Sequence, residues 1–574
     1  MIEKMTKYNF ILLAREKEAF LSDLQELGVV DITRREKQLD ARSSELFGKI
    51  SSEKKLIGEI ESGTDQTLAR MQEKLTELRK DAEDVRVWGE WDRDAIEKTG
   101  IKLHFYCVAA SKYDSAWENE YAIQIVEKDK NCWFVIAGDN ESFPLKEIPA
   151  PGRSISEIEA EIKGIEAEIA DYETALKARR AELPALRREL AVTEDEFARA
   201  LASQGAESAA EDSLCIFEGF APEENGAKLK AELDKMDIVW MDCGAAVEDN
   251  PPIKLKNNWF VRQFEVLTDM YGRPDYNEFD PTPYISVFFL LFFAMCMGDA
   301  GYGLLLIVIG ILLKKVKGLA DMSPLVTILG VGTFVVGIVM HTFFGVDISA
   351  LEWVPAWMKG LMITGTIGGF EAQMVLSLVI GIIHLCLAMV VKTVYATRNK
   401  GFLGSLGIWG WTLLIVGGVV VGVLAMSSLL SETALKWTVI VLGVLSALGI
   451  FLFNDINRNP LKNIGSGLWE TYNTVTGLLG DVLSYLRLYA LGLAGGMLGK
   501  AFNDIATMTL GDGSFGFGWF AFALILIIGH ALNLAMCCLG AFVHPLRLNF
   551  LEFFKNSGYD GKGRAYKPLD KTVQ

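Results

Sequence analysis

Several features that mark large classes of protein are missing or scarce in this sequence. Its eight cysteines are scattered, and the one close pair is Cys537-Cys538. Adjacent cysteines do not have zinc-ligand spacing, and the pattern suggests no disulfide framework. Reduced thiols, facing the cytoplasm or lipid, are the expectation, with no metal site and no cofactor. Positive charge is in deficit: the formal net charge is −17, which argues against nucleic-acid binding, a function that favours basic patches. No G-x-x-x-x-G-K-[ST] loop occurs, so the chain carries no P-loop nucleotide site of its own. The N-terminal MIEKMTKYNFILL lacks the longer apolar region and small-residue cleavage site of a signal peptide. Residues 1 to about 270 contain no window approaching the roughly 20 apolar residues of a membrane span. The first half is therefore expected in the cytoplasm.

What is present divides in two. The 574 residues are 51% hydrophobic, but that figure averages a charged first half and an apolar second half. We expect a cytoplasmic domain over 1–270 and a membrane domain over 271–574. Residues 1–33 read as a small α/β piece, with a strand at Tyr8–Leu13, a helix at Glu16–Leu27 and a second strand at Val29–Ile32. From Arg34 to about Val85 the chain is charged and helical, with Leu39, Leu46, Ile50, Leu56 and Ile60 as an intermittent stripe. Residues 86–150 hold strand-like runs. Ile155–Leu201 returns to helix: Ile155, Ile158, Ile162, Ile165, Ile169, Tyr172 and Leu176 alternate three and four apart, which is coiled-coil spacing. Pro184 should bend that helix locally. Residues 213–250 read strand, helix, strand. The simplest arrangement is an antiparallel coiled-coil hairpin, 34–85 with 153–204. A distal lobe (86–150) would sit at one end and a proximal lobe (1–33 with 213–255) at the other. The competing arrangement is a free-standing dimeric coiled coil.

Eight candidate spans follow, near 283–298, 300–314, 324–345, 371–393, 403–426, 436–453, 466–502 and 516–546. The first two meet at Gly298-Asp299 and suggest a tight hairpin. Lys314, Lys315, Lys317, Lys392, Arg398, Lys400, Arg458 and Lys462 fall in alternate connections, and the tail is also basic. Eight spans with both termini cytoplasmic satisfy this asymmetry. The last two spans are too long: about 37 residues reach some 55 Å against a hydrocarbon core of about 30 Å. Steep tilting is the natural accommodation.

Within the seventh span, GDVLSYLRLYALGLAGGMLGK places Arg487 near the middle of an apolar helix. Burying such a charge in a bilayer costs from about 2.5 to over 10 kcal/mol. From the stretch alone it is an internal ion pair, a snorkelling side chain or a functional fixed charge. Gly480, Ser484, Ala494 and Gly495 fall on its side of the helix at about 100° per residue, a small-residue face that another helix could approach. Arg547 lies near the end of the last span, where a positive-inside anchor is the plain reading. His544 and Glu552 flank it, and Glu470 and Asn473 precede Arg487 by about four turns. Asp299, His341 and His384 are further titratable groups at membrane depth, and a lone buried histidine is more often structural than proton-carrying.

LSYLRLYALGLA, HPLRLNFLEFF and DPTPY followed by MGDAGYG resemble the membrane-embedded subunit a, or subunit I, of V-type and A-type rotary ATPases. IFEGFAPEENGAKL is similar to the segment that re-enters that family's proximal lobe. The resemblance implies a stator subunit, not catalytic alone, beside a ring of proteolipids that carry the ion-binding carboxylates. It implies two half-channels with Arg487 between them and Arg547 supporting. Glu470, His544 and Glu552 become candidates for the cytoplasmic half-channel, and Gly480, Ser484, Ala494 and Gly495 for a rotor-facing surface. The implied partners are the proteolipid ring, peripheral-stalk E/G-type heterodimers at the lobes, the other ATPase subunits and membrane lipid. A multi-pass protein of a prokaryotic plasma membrane is the implied setting. Many relatives place a carboxylate ten residues before the second arginine; here that position is Cys537. The chosen ion, H⁺ or Na⁺, belongs mainly to the ring. A self-contained secondary transporter with a cytoplasmic regulatory domain is the alternative, although no convincing internal repeat is present.

Overall fold

The computed structural model describes the chain apart from residues 34–39, 63–65, 91–97, 99, 139–142, 151–152, 212, 317, 353, 428–430, 454–459, 511–516 and 572–574. Arg34, Leu39, Lys317, Arg458 and the side chain of Leu176 therefore lie outside the described residues. The chain divides into two compact units.

One unit is Leu13–Gly28, Arg34–Ser208 and Leu569–Gln574. It contains helices α1 (Lys17–Leu27), α2 (Ala41–Ser62), α3 (Gln66–Arg86) and α4 (Ile155–Gln204). The start of α4 is fixed by a reciprocal cap: Ser154 Oγ accepts the Glu157 N–H and the Glu157 carboxylate accepts the Ser154 N–H. The helix then runs through Pro184 to Gln204. α2 and α3 lie antiparallel to α4. Contacts pair Ser43 with Gln204, Lys54 with Glu194, Arg187 with Glu61, and Arg79 with Glu166, so partner numbers fall as the chain advances. Leu78, Ile158 and Ile165 are buried in the seam, with Leu75, Ile162 and Ile169 packed around them. On α2 the buried apolar side chains among the described residues are Ile50, Ile57 and Ile60, whereas Leu56 is 40% exposed. The stripe thus passes through Ile57, which holds the three-and-four spacing from Ile50 to Ile60. The same unit has a three-stranded antiparallel sheet ordered Leu103–Ala109, Asn131–Ala137, Ile123–Lys128. Its core is Tyr106, Cys132, Phe134 and Ile136.

The other unit is Met1–Leu12, Val29–Thr33 and Ala209–Pro568. Its sheet places strand Leu214–Pro222 between Asp31–Ile32 and Met5–Leu13, with Val239–Gly244 antiparallel to Met5–Leu13 at the edge. The segment 559–567 is tied to this region. Ile253 N–H donates to Arg564 O at 2.6 Å, Tyr566 N–H to Ile253 O at 3.1 Å and Lys567 N–H to Asp31 Oδ2 at 3.0 Å.

The apolar half of this unit is helical. Among the described residues, six helices are long and apolar enough to cross a membrane: Ala320–Val339, Ala372–Gly404, Leu406–Met426, Glu432–Leu452, Lys462–Met508 and Gly518–Ser557. Two shorter apolar helices, α5 (Thr282–Met297) and α6 (Ala300–Leu313), precede them. They meet where Gly298, at φ +57°, ends α5. That conformation is open to glycine at no steric cost. Asp299 then caps α6. Helix α7 (Ser323–Val339) lies against α6 at near backbone contact: a Cβ on Gly337 would stand 2.2 Å from Ala300 N. Small residues at such crossings let membrane helices approach closely. The longest path, Lys462–Met508, has 47 residues, about 70 Å of helix. It is broken once, at Tyr485, into α8 (Pro460–Ser484) and α9 (Leu486–Met508). Helix α10 (Phe517–Arg547) packs beside α9 and ends in a π-type turn over Leu548–Phe553.

Candidate functional site

Arg487 is the second residue of α9, two residues past the break at Tyr485. Tyr485 is fully buried, and its Oη lies 2.9 Å from His384 Nδ1. His384 itself is fully buried among Phe288, Phe292 and Phe553. The break in the helix is thus anchored from behind, while the arginine beside it is half-buried. Among the described residues, no hydrogen bond or ion pair holds the Arg487 guanidinium. Other membrane-depth charges are engaged. Asp299 accepts the backbone N–H groups of Gly301, Tyr302 and Phe344 at Oδ1 and of Gly345 at Oδ2, at 2.8 to 3.2 Å. Asp299 is therefore a helix cap and a loop clamp. His341 Nδ1 lies 3.1 Å from Asp347 Oδ1.

The second arginine is the last residue of α10, which packs beside α9. His544, one turn before Arg547 on α10, lies within electrostatic reach of both guanidiniums, and its Nδ1 is buried without a partner. Arg547 is exposed. Glu552, in the π-type turn, is buried beside Ser484, with Asp481 and Arg547 close by. Asp481 does not pair with Arg487: it accepts Asn556 Nδ2 at 2.9 Å and lies 3.9 Å from Lys555 Nζ. Asp481, Asn556, Lys555, Lys392 and Asn473 line a cavity of about 300 Å³. Glu470, half-buried on the same helix, lies near Lys392. Glu470, Asn473, Gly477 and Asp481 recur three or four apart, so they share one face of α8.

The small residues around Arg487 do not share one environment. Gly480 and Ala494 are exposed, and nothing stands within 4 Å of a Cβ built on Gly480. Ser484 is half-buried next to Glu552. Gly495 is a correction: it is buried, with Cys537 Sγ 2.8 Å from the place its Cβ would take. Its side of α9 is occupied by α10. The open face instead runs through Gly480, Leu483, Ala494 and Met497, all exposed.

A hydrogen-bonded series near Cys537 escaped the sequence reading. Cys537 Sγ lies 3.4 Å from Asn533 Oδ1, and Asn533 Nδ2 donates to Tyr302 Oη at 2.8 Å and to Gly495 O at 2.9 Å. Tyr302 Oη is 2.8 Å from His530 Nδ1, and His530 Nε2 is 3.0 Å from Asn503 Oδ1. The signal was present: His530, Asn533, Cys537, His544 and Arg547 are three, four, seven and three residues apart, which keeps them on one side of α10.

The arrangement defines a class: a multi-pass membrane protein whose last two long helices carry an unpaired arginine and a lengthwise polar stripe. The chain belongs to the V-type ATPase 116kDa subunit family, whose model matches residues 141–330 and 435–571. It is 32% identical to the A-type ATP synthase subunit I of Methanocaldococcus jannaschii, over 62% of this chain and 55% of the relative. It is 34% identical to the Pyrococcus abyssi A-type subunit I, over 56% of this chain and 48% of the relative. The V-type ATP synthase subunit I of Chlamydia pneumoniae is 24% identical, over 99% of this chain and 97% of the relative. The chain spans about half the length of the A-type relatives it matches.

Proposed function

We propose that this chain is the stator a-subunit of a V/A-type rotary ATPase, forming two ion half-channels against a proteolipid ring. It would couple H⁺ or Na⁺ movement to rotation, and so to ATP hydrolysis or synthesis on other subunits. The observation that carries this reading is the unpaired Arg487 on a half-open helix face, in a chain of this family. An arginine stays protonated under biological conditions. It attracts an ionised rotor carboxylate and favours release of that group's proton or sodium ion. Left without a partner among the described residues of its own subunit, it is available to each carboxylate in turn and blocks leakage between half-channels.

The exposed face through Gly480, Leu483, Ala494 and Met497 suits a helix passing at close range. The cavity lined by Asn473, Asp481 and Lys392, with Glu470 near its rim and Glu552 behind it, suits the cytoplasmic half-channel. The reading includes eight spans, with α5 and α6 as the first two and both termini cytoplasmic. It also takes α2 and α3 with α4 as a coiled-coil hairpin. Lobes at the two ends would be the docking points for peripheral-stalk heterodimers. Purification from the native membrane in mild detergent tests it. Co-purifying proteolipids and ATPase subunits are expected; a chain that arrives alone and transports ions in proteoliposomes would overturn it.

A further inference from the structure

Resting on that stator reading, we infer that Tyr302 and His530 are a proton relay on the side away from the cytoplasm, so that the transported ion is H⁺. The inference starts from donor bookkeeping. Asn503 Oδ1 can only accept, so His530 Nε2 carries its hydrogen and His530 Nδ1 is the acceptor. Tyr302 then donates to Nδ1 while accepting from Asn533 Nδ2. Asn503 Nδ2 passes the direction on to Phe344 O at 2.7 Å. From Cys537 to Phe344 every donor points the same way.

Three observations lift this above a packing network. Histidine at membrane depth is expensive and tends to be functional. His530 is half-buried, not sealed in like His384, so one end of the series is open. The other end is Cys537, which packs against Gly495, about two turns along α9 from Arg487. Along α10, His530 and His544 are 14 residues apart, about 21 Å. The series therefore occupies the half of the helix that the cytoplasmic cavity does not.

The donor set suits a proton and not sodium, in keeping with a ring that carries H⁺. A sodium site needs several oxygen ligands, preferably anionic. Among the described residues, the acidic group in reach of this series is Asp299, and its oxygens are already taken by four backbone N–H groups. A phenol bonded to an imidazole instead carries protons. Outward transfer proceeds as follows. Tyr302 Oη takes the excess proton of a hydronium ion on the Arg487 side, which becomes water, while its own O–H breaks as a bond forms to His530 Nδ1. The imidazolium then loses its Nε2 proton to water beside Asn503. Proton exchange through water, from Nδ1 to Nε2, then restores the first tautomer; one proton has crossed and no charge is left behind.

The test uses the whole complex in vesicles. His530→Ala and Tyr302→Phe should each lower ATP-driven proton pumping about ten-fold or more, and added imidazole should restore part of the activity of His530→Ala. Arg487→Ala is assayed alongside. Wild-type pumping in His530→Ala with a dead Arg487→Ala overturns the relay and leaves the stator reading intact. Pumping by Arg487→Ala overturns the reading beneath both. If His530→Ala fails to assemble, His530→Gln, which keeps an N–H toward Asn503, takes its place; full pumping there overturns the relay. Sodium transport without proton movement in the wild-type complex also overturns it.

Discussion

Tyr485 and Asp299 do not touch the path directly, yet each fixes the backbone around it. Tyr485→Phe leaves a fully buried His384 Nδ1 without its partner. A loss of about 1–3 kcal/mol is expected, read as a lower melting temperature in detergent. Asp299→Ala removes the acceptor of four backbone N–H groups, uncapping α6 and releasing the 344–345 loop. It should cost more than the roughly 1 kcal/mol of a single helix cap; stability unchanged from wild type would contradict the clamp. At this scale the sequence was uneven. Arg487 stood out because a permanent charge in an apolar run has few explanations. His530 and Asn533 did not, because uncharged polar residues in a long helix carry meaning only through partners on other elements. Gly495 failed for a related reason: helix angle places it on the arginine's side, but only packing tells which neighbour fills that side.

For α2, spacing indicated a helix but gave an ambiguous face, since both Leu56 and Ile57 are apolar. Burial chooses Ile57. Ile57→Ala should destabilise the α2–α4 seam by about 2–4 kcal/mol, and Leu56→Ala should stay within about 0.5 kcal/mol. Thermal unfolding of the two variants compares them directly, and the reverse ranking would refute the register. The long apolar helices were legible because a bilayer demands uninterrupted runs. The ends of α8 through α10 were not. Polar residues continue both helices past the hydrocarbon limit, reaching Lys462 at one end and Ser557 at the other. The close fit of α6 and α7 was equally hidden, being set by glycines such as Gly337 that meet backbone across the interface.

Across the unit that joins Met1–Leu12 to the apolar helices, one charged cluster makes a pH prediction. Lys7 Nζ lies 2.8 Å from Asp249 Oδ1 and 3.3 Å from Glu218 Oε1. The hydrogen bond from Lys7 is the main cause holding Asp249 below the usual carboxylate range, and the bond to Asp249 is the main cause raising Lys7. The Asp249 contribution is present above the unfolded value of about 3.9 and is lost as pH falls through its lower folded value. The Lys7 contribution is full below about 10.4 and is lost as pH rises through its higher folded value. Melting temperature should therefore fall at both extremes, and Asp249→Asn should flatten the acid limb; an unchanged acid limb would contradict the pairing.

The stator reading itself requires one cation to be free in its own subunit and indispensable to the assembly. The direct measurement is ATP-driven ion pumping and ATP hydrolysis in vesicles that carry the whole complex with Arg487→Ala. Assembly should persist and coupled pumping should vanish; pumping at the wild-type rate would contradict the account.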